Sequence, residues 1–379
     1  MTLAVLQLIE RHETLSREDV DRFLAEHGSP IVEGPTITFL FRGEADGVRL
    51  RHFVFGLPSA RPFQRILGTD LWYCSVEVPR GSRIEYKLEV DQGGRTRLVR
   101  DPLNPRNARD PYGSNSVCHG AGYEAPEWIR PDPEARPGDL ADLVVPSTGP
   151  LGERPVKVYT PARMRTTRRY PLLVVFDGED YLRYAGMKTV LDNLVHRYDI
   201  APMVAAFTQS EDRFRDYGAS RDHADWVVRD LLPFLEARLP LRDDPADRCL
   251  MGASLGAVAS LSAAWRHQGV FGRLLLQSGS FAFTDIGREA KHPALEPVVE
   301  FVNGFRAEPG MPAEKIFVSC GVYESLIYEN RSLVPLLERT GMEIRFVESR
   351  DGHNWENWRD RLREGLGWLF PGPMALVYE

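Results

Sequence analysis

Apolar and polar residues follow two different rhythms along this chain. Residues 36–42, 48–55, 71–78 and 84–90 show partial period-two alternation and end at Gly, Pro or Asp signals, which predicts short half-buried strands. Strands so closely spaced, joined by turns, predict a β-sandwich. A helical segment over roughly residues 3–26 precedes them. From residue 171 the rhythm changes. Residues 171–176, 203–207, 249–252, 273–277 and 315–319 are near-continuous apolar runs separated by longer helical stretches. Such strands belong to a parallel sheet buried on both faces, so this part is expected to be α/β and doubly wound. Between the two rhythms, residues 128–139 hold Pro131, Pro133 and Pro137 among alternating charges, with little to bury. The expected organisation is therefore a helical segment plus β-sandwich over 1–130, a linker over 131–145 and an α/β domain over 146–379.

Composition narrows the class. A chain of 379 residues exceeds one ordinary domain, and 43% hydrophobic with 27% charged residues is soluble-globular usage. Lys and Arg number 47 against 54 Asp and Glu, a formal charge of −7, so the basic footprint of a nucleic-acid binder is missing. No apolar run approaches the length of a membrane span. The start of the chain lacks a basic n-region and a small-residue cleavage site, so no export signal is expected. Cys74, Cys118, Cys249 and Cys320 form no Cys-x-x-Cys pair, which argues against a zinc ribbon or a thioredoxin-type site and for reduced thiols in a cytoplasm.

The sharpest chemical signal is Gly252-Ala253-Ser254-Leu255-Gly256, placed between an apolar strand and a helix-like run. That context predicts a nucleophile elbow, with Ser254 above the sheet edge and the Leu255 amide at a helix N-terminus, where it can bind an oxyanion. A serine nucleophile needs a base. His353 fits, on a Gly-containing loop after the strand-like residues 343–348 and near the C-terminal end of the sequence. The acid that orients it is expected between the two in sequence. Glu324, just beyond the strand 315–319, is favoured over Glu329. The second oxyanion donor is expected after strand 171–176, from the amide of Gly178 or Glu179. No His or Cys stands at ligand spacing near these acids, so neither a metal nor a cofactor is expected. Arg213 and Arg215 follow strand 203–207 and are candidate contacts for an anionic or metal-chelate substrate.

Taken together, the chain resembles the enterochelin (enterobactin) esterase family over roughly residues 28–370. The resemblance rests on Gly28-Ser29-Pro30-Ile31-Val32-Glu33, Arg65-Ile66-Leu67-Gly68-Thr69-Asp70-Leu71-Trp72 and Asp101-Pro102-Leu103-Asn104 in the first part. In the second part it rests on Phe176-Asp177-Gly178, the elbow, Gln277-Ser278-Gly279-Ser280, Gly321-x-x-Glu324 and Gly352-His353. It implies an α/β-hydrolase fold preceded by an immunoglobulin-like domain that helps bind substrate. It also implies a Ser254–His353–Glu324 triad and cytoplasmic hydrolysis of the esters of a ferric catecholate siderophore, an iron complex being the small-molecule substrate. Where that family tends to carry bulky indoles after Ser-Gly-Ser, this chain has Phe281-Ala282-Phe283, so Phe281 and Phe283 are candidate substrate contacts. Two further enzyme readings use the same triad: a feruloyl or other carbohydrate esterase, and an acyltransferase. A non-enzyme reading is a catalytically dead binding scaffold. Oligomeric state is not legible in the sequence.

Overall fold

The computed structural model describes residues 2–11, 15–284 and 293–373. By its internal contacts the chain forms two units. The first is Met1–Ala125 together with Val322–Glu324 and Arg350–Asn354; the second is Pro126–Gly321, Ser325–Ser349 and Trp355–Glu379.

In the first unit the expected helical segment is two helices, Ala4–Arg11 and Arg17–His27, and residues 12–14 between them lie outside the described residues. The second helix starts at a capping box: the Asp19 amide donates to Ser16 Oγ and the Ser16 amide to Asp19 Oδ2. Ten strands follow: β1 (Ile31–Glu33), β2 (Thr36–Arg42), β3 (Gly47–His52), β4 (Ala60–Pro62), β5 (Gln64–Arg65), β6 (Leu71–Glu77), β7 (Arg83–Gln92), β8 (Arg95–Val99), β9 (Asn107–Asp110) and β10 (Gly113–His119). They make a sheet of order β1-β2-β6-β5 and one of order β4-β3-β7-β10-β9, with β8 also on β7. Ile37, Phe39 and Phe41 of β2 pack with Val48, Leu50, Tyr86 and Leu88 of the other sheet in one core, as a sandwich requires. Leu40, on the opposite face of β2, packs with Val5, Leu8 and Phe23 of the helices. The strand expected over 48–55 stops at His52, whose Nδ1 accepts the Val54 amide and turns the chain.

In the second unit β11 (Asp139–Val145), β12 (Arg154–Thr160), β13 (Leu172–Val175), β14 (Val204–Thr208), β15 (Arg248–Ala253), β16 (Arg273–Gln277), β17 (Lys315–Gly321) and β18 (Glu343–Ser349) form one sheet of order β11-β12-β14-β13-β15-β16-β17-β18. The pairs β11–β12 and β12–β14 are antiparallel and every later pair is parallel. Alternation explains the apolar runs. Leu172 and Val174 enter one core while Leu173 and Val175 enter the core on the other face. The segment expected as a linker lies inside this unit, and its second half is the edge strand β11. Its mostly exposed residues hide the strand from a hydrophobicity pattern.

Candidate active site

The elbow is built by two glycines. Ser254 links β15 to the helix Leu255–Arg266 with φ 58° and ψ −120°, a conformation that costs an L-residue about 1–3 kcal/mol. A Cβ on Gly252 would lie 2.4 Å from the backbone carbon of Gly256, so only glycine lets strand and helix meet this closely. Gly252→Ala is therefore expected to lower stability by about 2–3 kcal/mol, read as a fall in the urea midpoint. An unchanged midpoint would mean the turn relaxes freely. The Ser254 amide donates to the Gln277 carbonyl at 2.9 Å, and Ser254 Oγ lies 3.1 Å from Ser280 Oγ. Leu255 is the first residue of the helix, so its amide has no intrahelical acceptor.

Gln277, at the end of β16, is fully buried and braces the elbow from beneath. Its Oε1 accepts the Tyr181 hydroxyl at 2.7 Å and its Nε2 donates to the Trp358 carbonyl at 2.8 Å. Sequence reasoning gave no role to Gln277 or Ser280. The signal available was their place in Gln277-Ser278-Gly279-Ser280, at the C-terminal end of a parallel strand beside the elbow strand.

The turn after β13 carries the other candidate donor. Asp177 adopts φ 53° and ψ 40°, and Gly178 opens the helix Gly178–Tyr184. A Cβ on Gly178 would come within 2.5 Å of Phe207, so this position also demands glycine. The Glu179 amide donates to Gln209 Oε1 at 3.2 Å, whereas the Gly178 amide is at the first helical position. Of the two amides considered from sequence, Gly178 is thus the one with a donor to spare. The turn packs on the elbow: Asp177 Oδ2 would lie 3.4 Å from a Cβ on Gly256.

Arg213, a candidate substrate contact, instead grips Asp177 through two parallel bonds, Nε to Oδ1 and Nη2 to Oδ2, each 2.9 Å. The Asp177 amide donates to the Tyr217 hydroxyl at 3.2 Å. Burial pushes the Asp177 carboxyl above the usual aspartate range and the Arg213 charge pulls it back. Arg213→Met leaves that carboxyl without its countercharge. Breaking such a pair costs about 3 kcal/mol, the low end because Arg213 is partly exposed. The sign with pH follows from the raised folded value. Between the unfolded aspartate value of about 3.9 and the folded value, the folded state binds more protons, so stability falls as pH rises. The deficit of Arg213→Met should therefore be larger in urea titrations at neutral than at acidic pH. A deficit independent of pH would mean that the guanidinium acts by packing alone.

The acid and base candidates follow neighbouring parallel strands and both belong to the first unit. Glu324 follows β17 and His353 follows β18. His353 Nδ1 lies 2.6 Å from Glu324 Oε2, and the Glu324 carboxylate is almost wholly buried. With Nδ1 donating to the carboxylate, Nε2 is the accepting nitrogen, the arrangement a general base requires. Glu329, the alternative acid, lies in the helix Ile327–Glu338.

The remaining substrate candidates are placed differently. Phe281 and Phe283 are 1% and 4% exposed, within the core that covers one face of the sheet. Arg215 is well exposed and its Nε donates to Asp216 at 2.8 Å. Among the described residues no group of His, Cys, Asp and Glu side chains is arranged to hold a metal ion, and no helix is long and apolar enough to cross a membrane.

Comparison with known proteins is consistent with this geometry. A model of the Esterase family matches residues 147–369. The iron(III) enterobactin esterase of Escherichia coli O6:H1 is 27% identical over 334 residues, 81% of this chain and 81% of its own. An enterobactin esterase from Shigella flexneri, solved in the presence of enterobactin, superposes with TM-score 0.72 at 21% identity over 88% of this chain and 92% of its own. A ferulic acid esterase superposes with TM-score 0.54 at 18% identity, over 63% of this chain and 99% of its own. The fold is thus an α/β-hydrolase preceded by an all-β region, as the sequence predicts.

Proposed function

We propose, from the premise that this chain belongs to the Esterase family and is a carboxylic ester hydrolase, that it cleaves the ester bonds of a catecholate siderophore in its ferric form. Ser254 Oγ attacks the ester carbonyl as His353 takes its proton. Glu324 holds the imidazole through Nδ1 and offsets the positive charge that it gains. The amides of Leu255 and Gly178 bind the oxyanion. His353 then returns the proton to the leaving alkoxide, leaving an acyl-enzyme on Ser254. A water deprotonated by the same imidazole attacks the acyl carbon, and the imidazolium gives that proton to Ser254 Oγ as the acid leaves. The iron belongs to the substrate and takes no part in these steps.

The observation that supports this most is the 2.6 Å bond between His353 and Glu324, since an imidazole so oriented serves a serine nucleophile. The substrate class draws its support from the relatives that act as iron(III) enterobactin esterases. Of the substrate contacts expected from sequence we retain Arg215, whose exposed guanidinium suits an anionic chelate. A cytoplasmic site of action belongs to the same proposal, in keeping with four buried free thiols.

The test offers the purified protein a ferric tri-catecholate lactone, its iron-free form, a feruloyl sugar and a p-nitrophenyl ester, with products followed by chromatography. The expected kcat/KM on the ferric lactone exceeds that on the feruloyl sugar by at least about tenfold, a margin that differential contacts readily supply. The reverse order would assign the enzyme to aromatic esters of carbohydrates.

A further inference from the structure

The loops that carry Glu324 and His353 are fastened to the same two residues at the head of β7. Ser82 Oγ lies 2.5 Å from the hydroxyl of Tyr323, the residue before Glu324. The Arg83 amide donates to the Arg350 carbonyl at 2.9 Å. Its guanidinium is fully buried. There Nη1 donates to Asp351 Oδ1 at 3.1 Å and to Asn354 Oδ1 at 3.0 Å, while Nη2 donates to Glu85 Oε1 at 2.9 Å. Arg83 therefore holds a side chain on each side of His353. The loops are also joined to each other, for the Tyr323 amide donates to the Asp351 carbonyl at 3.0 Å. The Phe55 amide donates to the Tyr323 carbonyl at 2.9 Å, adding a third tie from the sandwich.

A buried ion pair is a poor device for stability alone, because desolvating both charges consumes most of their attraction. Apolar side chains of similar size would serve a core as well. What the fork of Arg83 supplies, and they would not, is direction: it fixes Asp351 and Asn354, which flank His353 in sequence, at set distances. We propose that Arg83, assisted by Ser82 through Tyr323, is a positioning residue that fixes the His353–Glu324 pair for catalysis. The proposal rests on the reading of Ser254, His353 and Glu324 as a triad. The Asp351 carboxyl fits this arrangement: burial and the nearby Glu85 push it up to about 6, while Arg83, Asn354 and the Gly352 amide act to keep it ionised.

The test compares Arg83→Met, Arg83→Lys and Tyr323→Phe with the unaltered full chain. The readouts are thermal melting, kcat and KM on a p-nitrophenyl ester, and the downfield proton resonance of His353 Nδ1–H. Arg83→Met should lower kcat by about 30- to 100-fold with KM little changed, and should shift or erase the resonance in protein that is still folded. Arg83→Lys should recover part of the loss. A folded Arg83→Met with kcat within about twofold and an unshifted resonance overturns the proposal. If Arg83→Met does not fold, Tyr323→Phe decides, with a kcat loss of about fivefold or more expected and an unchanged kcat overturning it. Labelling of the unaltered chain by a fluorophosphonate separates the two levels. Failure to label Ser254 sinks the triad reading, whereas labelling together with an unimpaired Arg83→Met sinks only the role of Arg83.

Discussion

Ser254→Ala is expected to cut ester hydrolysis by on the order of 10⁴-fold or more while leaving thermal unfolding nearly unchanged. The loss is large because no other group can replace the nucleophile within the elbow. The residual rate is what oxyanion binding and substrate positioning supply on their own. Stability should change little for identifiable reasons. Alanine keeps the same backbone strain at φ 58°, the Ser254 amide keeps its bond to Gln277, and among the described residues the side-chain bond lost is the partly buried one to Ser280. The check is turnover of a p-nitrophenyl ester beside a melting curve. Near-native turnover in a folded mutant would remove Ser254 from the chemistry.

The second large effect concerns the acid. Glu324→Gln keeps the shape of the side chain and its capacity to accept from Nδ1, but not its charge. The imidazolium that forms in the transition state then loses its buried countercharge, and the amide can present the wrong group to the ring. Turnover should fall by about 10²- to 10⁴-fold. Glu329→Gln, in the helix Ile327–Glu338, should stay within about threefold, as expected if Glu324 is the carboxylate that orients the imidazole. Parallel kinetics of the two variants on one substrate give the ranking, and the reverse order would move the acid to Glu329.

Much of this was legible in the sequence, for reasons that particular elements make plain. The strands of the large sheet stand out because both faces are covered, so Leu172–Val175 and Arg248–Ala253 carry apolar residues at consecutive positions. The elbow is legible because its geometry is local: Gly252 is demanded by the backbone of Gly256 within the same turn. What stayed hidden depends on partners distant in sequence. β11 is an exposed edge strand recognisable only by its pairing with β12. The choice between the Gly178 and Glu179 amides turns on the side chain of Gln209. The bidentate pair that Arg213 makes with Asp177 is likewise invisible in the sequence, 36 positions apart. Phe281 and Phe283 look like binding-site aromatics, yet the missing Cβ of Gly279 lets the Phe281 ring fold back into the core. Arg83 carries no sequence motif, and its partners Asp351 and Asn354 lie 268 and 271 positions away.

The central claim is that one serine, Ser254, carries the acyl group. Incubation with a fluorophosphonate, followed by intact mass measurement and peptide mapping, tests it directly. The account predicts a single adduct, located on the peptide that contains Ser254 and absent from Ser254→Ala. No adduct on the native protein, or one mapped to any other residue, would contradict it.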